Sequence, residues 1–311
     1  MERNQQAQFF EIVNRIDFAG IRKHPNILVA ASFWEEERYR AAKTFYRFMR
    51  RIDDLVDDRK AVHDGISDKD RVRLTVRIGE WLDQVRNPRN RLLFKPDLAR
   101  VIGRFKMPLW PCEDFAASML YDISHDGFPT LESFLEYSSG ASVAPSSIFV
   151  HLCGLRRSGD SYLEPLFDVR KTATPCALFS YLVHIIWDFQ KDQLQHLNYF
   201  SDDVLARHGL TRRKLSEIAN GSGINAGFRD MIREYLGLAD GYRKQTVEVI
   251  KEISPLLEPC YALSLKIIFN LYLMVFERID PDRGTFTTGE MNPTPAEIRQ
   301  RVLDTIQGFR E

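Results

Sequence analysis

Residues Tyr181–Phe200 read YLVHIIWDFQKDQLQHLNYF, and the fold follows from how polar and apolar residues alternate along them. Tyr181, His184, Asp188, Asp192 and Gln195 succeed one another at three-, four-, four- and three-residue steps, while Leu182, Val183, Ile185, Ile186, Trp187 and Phe189 fill the positions between. On a helix of 3.6 residues per turn the polar set forms one stripe and the apolar set wraps the rest of the surface. A helix apolar on nearly every side is a buried one. Burial then places Asp188 and Asp192 in a low-dielectric cleft, where an unpaired carboxylate is very costly. They need a counter-charge, and a hard divalent cation such as Mg²⁺ is the natural one.

Helical spacing extends on both sides. Apolar residues recur at three and four residues from Thr172 to Leu197 and again from Glu36 to Val56, and strand signals are almost absent. The fold class is therefore all-α. Further helices are predicted over Asp70–Val85, with Asn87-Pro88 and Lys95-Pro96 as breaks after it, then over Asp97–Phe105 and Cys112–Ser124. Thr130 reads as an N-cap for Leu131–Tyr137, and Pro145 either kinks that helix or begins a new one running to Leu152. Ser201 and Thr211 cap two short helices ending at His208-Gly209 and Asn220-Gly221. Two long helices, Ala226–Ile250 and Pro255–Ile279, complete the body, and a last one starts at Pro295. No repeat or linker divides the chain, so residues 1–311 are expected to form a single domain.

Forty-three basic residues balance forty-three acidic ones, which argues against a general nucleic-acid binder and requires any anion site to be built locally. Cys112, Cys153, Cys176 and Cys260 are scattered among apolar neighbours without zinc-site spacing and read as reduced core residues of a cytoplasmic protein. The N-terminal residues lack the apolar run of a signal peptide. The longest apolar regions, Ala177–Trp187 and Leu263–Phe276, are interrupted by His184, Lys266 and Asn270 and are expected to fall short of the ~20 apolar residues of a membrane span.

A second acidic segment, FYRFMRRIDDLVDDRK, carries Asp53, Asp54, Asp57 and Asp58. Asp53 and Asp57 project from one helix face a turn apart, with Tyr46 and Arg50 on nearly the same line in the preceding turns. Alone, such a segment reads as a solvated charged face. Paired with the buried Asp188 and Asp192 it gives two i,i+4 aspartate pairs that can face each other across a bundle. Mg²⁺ favours one or two carboxylates plus substrate phosphate oxygens, so the pairs suit a diphosphate held through metal ions. A di-iron bundle would need Glu-x-x-His pairs on facing helices, and none is present. His184, Tyr46, Tyr137 and Tyr199 each have a plainer reading as packed side chains with bonded polar atoms.

At these two segments the chain resembles the squalene/phytoene synthase family, the head-to-head trans-prenyl transferases. IDDLVDD resembles the family's first aspartate-rich motif, with Tyr46 and Arg50 where the family has a Tyr and an Arg. Asp188 and Asp192 resemble its second, D-x-x-x-D, and LNYF resembles the R-I-Y-[FL] stretch that closes it. DGFPTLESFLEY looks like the segment leading to a substrate-lining Tyr, here Tyr137, and DDVLARHGLT like the stretch after the second motif. The resemblance implies an isoprenoid-synthase helical bundle with a central cavity. It also implies metal ligands at Asp53, Asp54, Asp57, Asp188 and Asp192, with catalytic roles for Tyr46, Arg50, Tyr137, His184 and Tyr199. The implied cofactor is Mg²⁺, with Mn²⁺ as a substitute and NADPH only for a reduced product. The implied partner is a prenyl diphosphate, and peripheral membrane contact for product release is compatible with it.

The chain departs from the family at several positions. The early H-S-K-S-F motif stands here as KHPNILVA, with Pro25 at the basic position; His184 replaces an Asn, Trp187 an Arg, and Leu197 the Arg before the final Tyr. NILVAAS resembles the N-F-P-V-A-S stretch of the hydroxysqualene synthase branch, which acts on presqualene diphosphate. Three functions follow: condensation of two prenyl diphosphates, processing or cyclisation of a single prenyl or presqualene diphosphate, and a binding or assembly protein that has lost the chemistry.

Overall fold

Helices account for nearly all the regular structure in the computed structural model, which describes residues 3–20, 26–61, 66–87 and 96–309. Pro25, Pro88 and Lys95, singled out above, lie outside these residues. The order is α1 (Arg3–Arg15), α2 (Asn26–Ala31), α3 (Glu36–Lys60), α4 (Asp68–Arg86), α5 (Pro96–Arg104), α6 (Trp110–Ser124), α7 (Leu131–Ser138), a π-helical turn (Ser139–Val143) and α8 (Ala144–Gly154). A hairpin, β1 (Arg156–Ser158) with β2 (Ser161–Leu163), precedes α9 (Val169–Trp187) and α10 (Phe189–Leu194). Then come α11 (Asp202–Arg207), α12 (Arg212–Ala219), α13 (Ala226–Ile253), a 3₁₀ turn (Ser254–Leu256), α14 (Pro259–Arg278), α15 (Thr288–Met291) and α16 (Pro295–Gly308).

α3 shows why the apolar spacing works. Ala41, Ala42, Phe45, Phe48, Met49, Ile52 and Val56 are its buried stripe, Glu36 and Glu37 sit in its first turn and Arg59 and Lys60 in its last, each charge favourable to the helix dipole. Near its N-terminus Arg38 is buried between the rings of Tyr162, on β2, and Tyr261, on α14, at 5.1 and 4.1 Å. It donates to the carbonyls of Leu152 and Leu155 at 2.8 and 3.2 Å and to Glu35 at 2.9 Å, which compensates its charge. The hairpin turns at Gly159, whose φ of 58° a larger residue rarely adopts.

α9 lies at the centre, packed against α8, α13, α14 and the π turn. One apolar core joins α1, α3, α4, α6, α8 and α14, and a second joins α7, α9, α10, α12 and α13. The π turn carries the chain from α7 into α8, with Pro145 in the first turn of the new helix, where its missing N–H costs nothing. Gly140 is required there: a Cβ would stand 2.2 Å from the Asp114 carbonyl of α6. α7 opens with a reciprocal cap, in which Thr130 Oγ1 accepts from Ser133 N at 3.1 Å and Ser133 Oγ accepts from Thr130 N at 3.2 Å. Thr130→Ala is expected to cost about 1 kcal/mol, read as a lower urea midpoint at unchanged slope.

Three sequence expectations are corrected. The helix drawn from Thr172 to Leu197 is two helices that meet at Asp188, whose φ of −87° and ψ of 7° put it in the bridge region. The helix drawn from Pro255 starts instead at Pro259, because a 3₁₀ turn occupies 254–256. α14 is long and apolar enough to cross a membrane by length and composition, contrary to the reading of Leu263–Phe276, and 56% of its apolar window is buried inside the protein.

Candidate active site

A cavity of about 430 Å³ runs between the two cores, and its walls come from α3, α8, α9, α13 and α14. Asp53, Asp54, Asp57 and Asp58 line it from α3, and Asp188 and Asp192 from the α9–α10 junction. Tyr46, Arg50, Tyr137, His184 and Tyr199 line it as well, so every candidate residue named from the sequence is brought to one space. Away from the acids the walls are apolar, among them Phe45, Met49, Phe149, Ile250, Leu265 and Ile268.

On α3, Arg50 forks between Asp53 and Asp54 of the next turn. Across the cavity Asp188 and Asp192 have side chains only 5% and 10% exposed. Asp188 N donates to the His184 carbonyl at 2.9 Å and Asp192 N to the Asp188 carbonyl at 2.8 Å. The one-turn spacing of the pair therefore survives the break between α9 and α10. Lys191 is ion-paired with Asp188 and lies 3.8 Å from Asp192, and His184 Nε2 lies 3.7 Å from Asp188.

Electrostatics shows what this arrangement lacks. Burial pushes the Asp53 carboxyl up to about 6, against the opposing pull of Arg50. Burial, then the charges of Asp53 and Asp122, holds Asp57 well above the usual carboxylate range. Burial and the neighbouring Asp188 push Asp192 up to about 8. Tyr199 feels both Asp57 and Asp192, and Lys191 feels Asp57 as well as its own pair, so charges from the two walls act on the same groups. More negative charge converges here than Arg50 and Lys191 offset.

The donor set fits a hard divalent cation. Among the described residues no three carboxylate, imidazole or thiol groups converge closely enough to chelate an ion unaided. The donors at hand are carboxylate oxygens, the ligand type that Mg²⁺ takes, commonly one or two together with water and substrate phosphate.

A match to the squalene/phytoene synthase family model spans residues 21–290. The chain belongs to that family. Several solved structures share the fold. The squalene synthase HpnC from Alicyclobacillus acidocaldarius has a TM-score of 0.64 at 14% identity, covering 89% of this chain and 94% of that one. A dehydrosqualene synthase solved in complex with ligand has a TM-score of 0.65 at 15% identity, covering 99% of each chain. YisP from Bacillus subtilis subsp. subtilis strain 168 gives 0.62 at 14% identity, covering 96% of each. At such identities the likeness is one of fold. No curated protein matches the chain.

Three residues of the site went unnamed in the sequence reading. Lys191 lies on the stripe's edge, and its position three residues after Asp188 is a legible i,i+3 signal. Asp122 and Lys60 form a buried ion pair at 2.7 Å behind Tyr137. Asp122 was visible only as a lone acid in the otherwise apolar MLYDI of α6.

Proposed function

We propose that the chain is a Mg²⁺-dependent prenyl transferase that condenses two prenyl diphosphates, farnesyl or geranylgeranyl, head to head with release of pyrophosphate. The observation that carries this reading is the pair of aspartate pairs on opposite walls at the polar part of an otherwise apolar cavity. Asp53 and Asp57 on one wall and Asp188 and Asp192 on the other would hold the metal, with Asp54 at the rim. Mg²⁺ bound there would neutralise the charge that develops on the leaving diphosphate.

The remaining chemistry belongs to the side chains. Arg50 and Lys191 retain N–H groups beyond those given to the aspartates, and these serve phosphate oxygens. The apolar walls take the hydrocarbon and keep water from an allylic cation. Tyr137, Tyr181 and Tyr199 line the same space with their rings in contact, where aromatic faces stabilise positive charge.

A second reading, processing of a single prenyl or presqualene diphosphate, is favoured by Trp187 and Leu197, which stand where the family has Arg and leave fewer fixed cations for a second diphosphate. Gas chromatography–mass spectrometry of hexane extracts after incubation with farnesyl or geranylgeranyl diphosphate, Mg²⁺ and optional NADPH separates the readings. We expect a hydrocarbon of doubled chain length. An alcohol or cyclised product of single length establishes the second reading, and no product with any substrate, presqualene diphosphate included, leaves a binding protein.

A further inference from the structure

Tyr137 faces the cavity, but what controls its hydroxyl lies behind the wall. Asp122, on α6, is 4% exposed and is not among the residues lining the cavity. Its Oδ2 accepts the Tyr137 hydroxyl at 2.5 Å, and its Oδ1 accepts Lys60 Nζ, from the end of α3, at 2.7 Å. Lys60 is itself largely buried, its side chain 13% exposed, so the carboxylate has a charge partner where solvent cannot supply one. The same helix holds the tyrosine backbone, because Ser118 Oγ donates to the Tyr137 carbonyl at 2.9 Å.

A phenol has one proton to donate and lone pairs to accept with. The Tyr137 proton is donated to Asp122, which does not line the cavity, so the oxygen's lone pairs are left for the cavity side, where the Tyr181 hydroxyl is its neighbour. Such an oxygen turns its negative end toward positive charge nearby and stabilises it. Core packing does not account for the arrangement, since an apolar pair would fill the same space without burying two charges.

We propose that Asp122, fixed by Lys60, is a positioning residue that accepts the phenol O–H of Tyr137 in a hydrogen bond and thereby turns its oxygen lone pairs toward positive charge developing on the prenyl chain. This rests on the prenyl diphosphate reading of the site. It also separates Asp122 from Asp53 and Asp57, whose charges it neighbours: Asp122 acts through Tyr137 and not through the metal.

The test is a double-mutant cycle of Asp122→Asn and Tyr137→Phe on the full chain, with thermal melting to confirm folding. Asp122→Asn is expected to lower kcat by about tenfold to a hundredfold with KM within about twofold, and to cost less than about threefold once Tyr137 is Phe. The Mg²⁺ concentration for half-maximal turnover should stay unchanged. Equal losses with and without the phenol, or a raised Mg²⁺ requirement, overturn the proposal. If Asp122→Asn does not fold, Asp122→Glu, which keeps the charge and moves the oxygens, carries the same comparison. A substrate-free readout accompanies it: the ¹³Cζ signal of Tyr137 in tyrosine-labelled protein, assigned by its loss in Tyr137→Phe, should shift in the Asp122 variant. An unmoved signal overturns the pair itself. A shifted signal in a protein that consumes no prenyl diphosphate keeps the hydroxyl's orientation, removes the reading of the site and overturns the catalytic purpose assigned to it.

Discussion

Asp53→Ala, Asp57→Ala, Asp188→Ala and Asp192→Ala should each lower turnover by roughly a hundredfold or more, while Asp53→Ala, Asp57→Ala and Asp192→Ala leave the metal-free protein as stable as its parent or more so. The two halves of this expectation have one cause. Asp53, Asp57 and Asp192 are held in cavity walls where burial disfavours their charge, and on the proposed reading a bound cation would restore it. Removing one side chain would weaken the grip on that cation. It also removes a carboxyl whose ionised form the apo fold disfavours. Undiminished turnover in excess EDTA would sink the mechanism.

The stability half has a pH signature. Asp192 is pushed up to about 8 and Asp53 to about 6, against a usual value near 4 for an unfolded chain. Between about pH 4 and pH 8 the folded metal-free protein thus keeps protons that the unfolded chain has released. Stability falls as pH rises wherever the folded state binds more protons. The contribution is full below about pH 4 and is lost as pH passes 6 for Asp53 and 8 for Asp192. Melting in EDTA should therefore give a Tm that declines from pH 5 to pH 8, and Asp192→Ala should flatten the decline. Mg²⁺ with diphosphate at pH 8 should restore the Tm, because on the proposed reading both bind the folded chain and not the unfolded one.

The helical fold and its acidic cavity were legible in the sequence because local spacing encodes them. Tyr181, His184, Asp188, Asp192 and Gln195 all line the cavity, and they were selected by three- and four-residue steps alone. The break at Asp188 was not legible, since no Gly or Pro marks it and the carbonyl ladder passes through it. Asp122 was missed for another reason. Its partners, Lys60 and Tyr137, are 62 and 15 residues distant, and only the packing of α6 against α3 and α7 joins them. The hairpin at 156–163 escaped notice because three-residue strands are too short for alternation to register.

The two residues flanking the second aspartate pair should respond to mutation in opposite ways. Trp187 is buried, and its indole turns from the metal face to donate to Asn292 Oδ1 at 2.7 Å, tying α9 to the segment before α16. Trp187→Ala should therefore act mainly on stability, by about 3–5 kcal/mol, through the lost indole volume and the acceptor stripped of its donor. His184 stands one turn before Asp188 on the cavity side, its side chain 31% exposed and its Nε2 3.7 Å from the carboxylate. That separation is an ion-pair contact when the ring is protonated and too long for a direct hydrogen bond. His184→Ala should cost about 1–2 kcal/mol in a thermal melt, through the ring's lost packing against Trp187, and lower turnover about tenfold by removing a polar group beside the proposed diphosphate site. Melting and product formation, from farnesyl diphosphate alone and from presqualene diphosphate alone, read the two effects separately. A kinetically silent His184→Ala with both substrates would make His184 a wall residue, and the positive charge for the phosphate would then have to come from Arg50 and Lys191. Consumption of presqualene diphosphate alone by the parent protein would remove the two-substrate condensation, because that substrate already carries both chains.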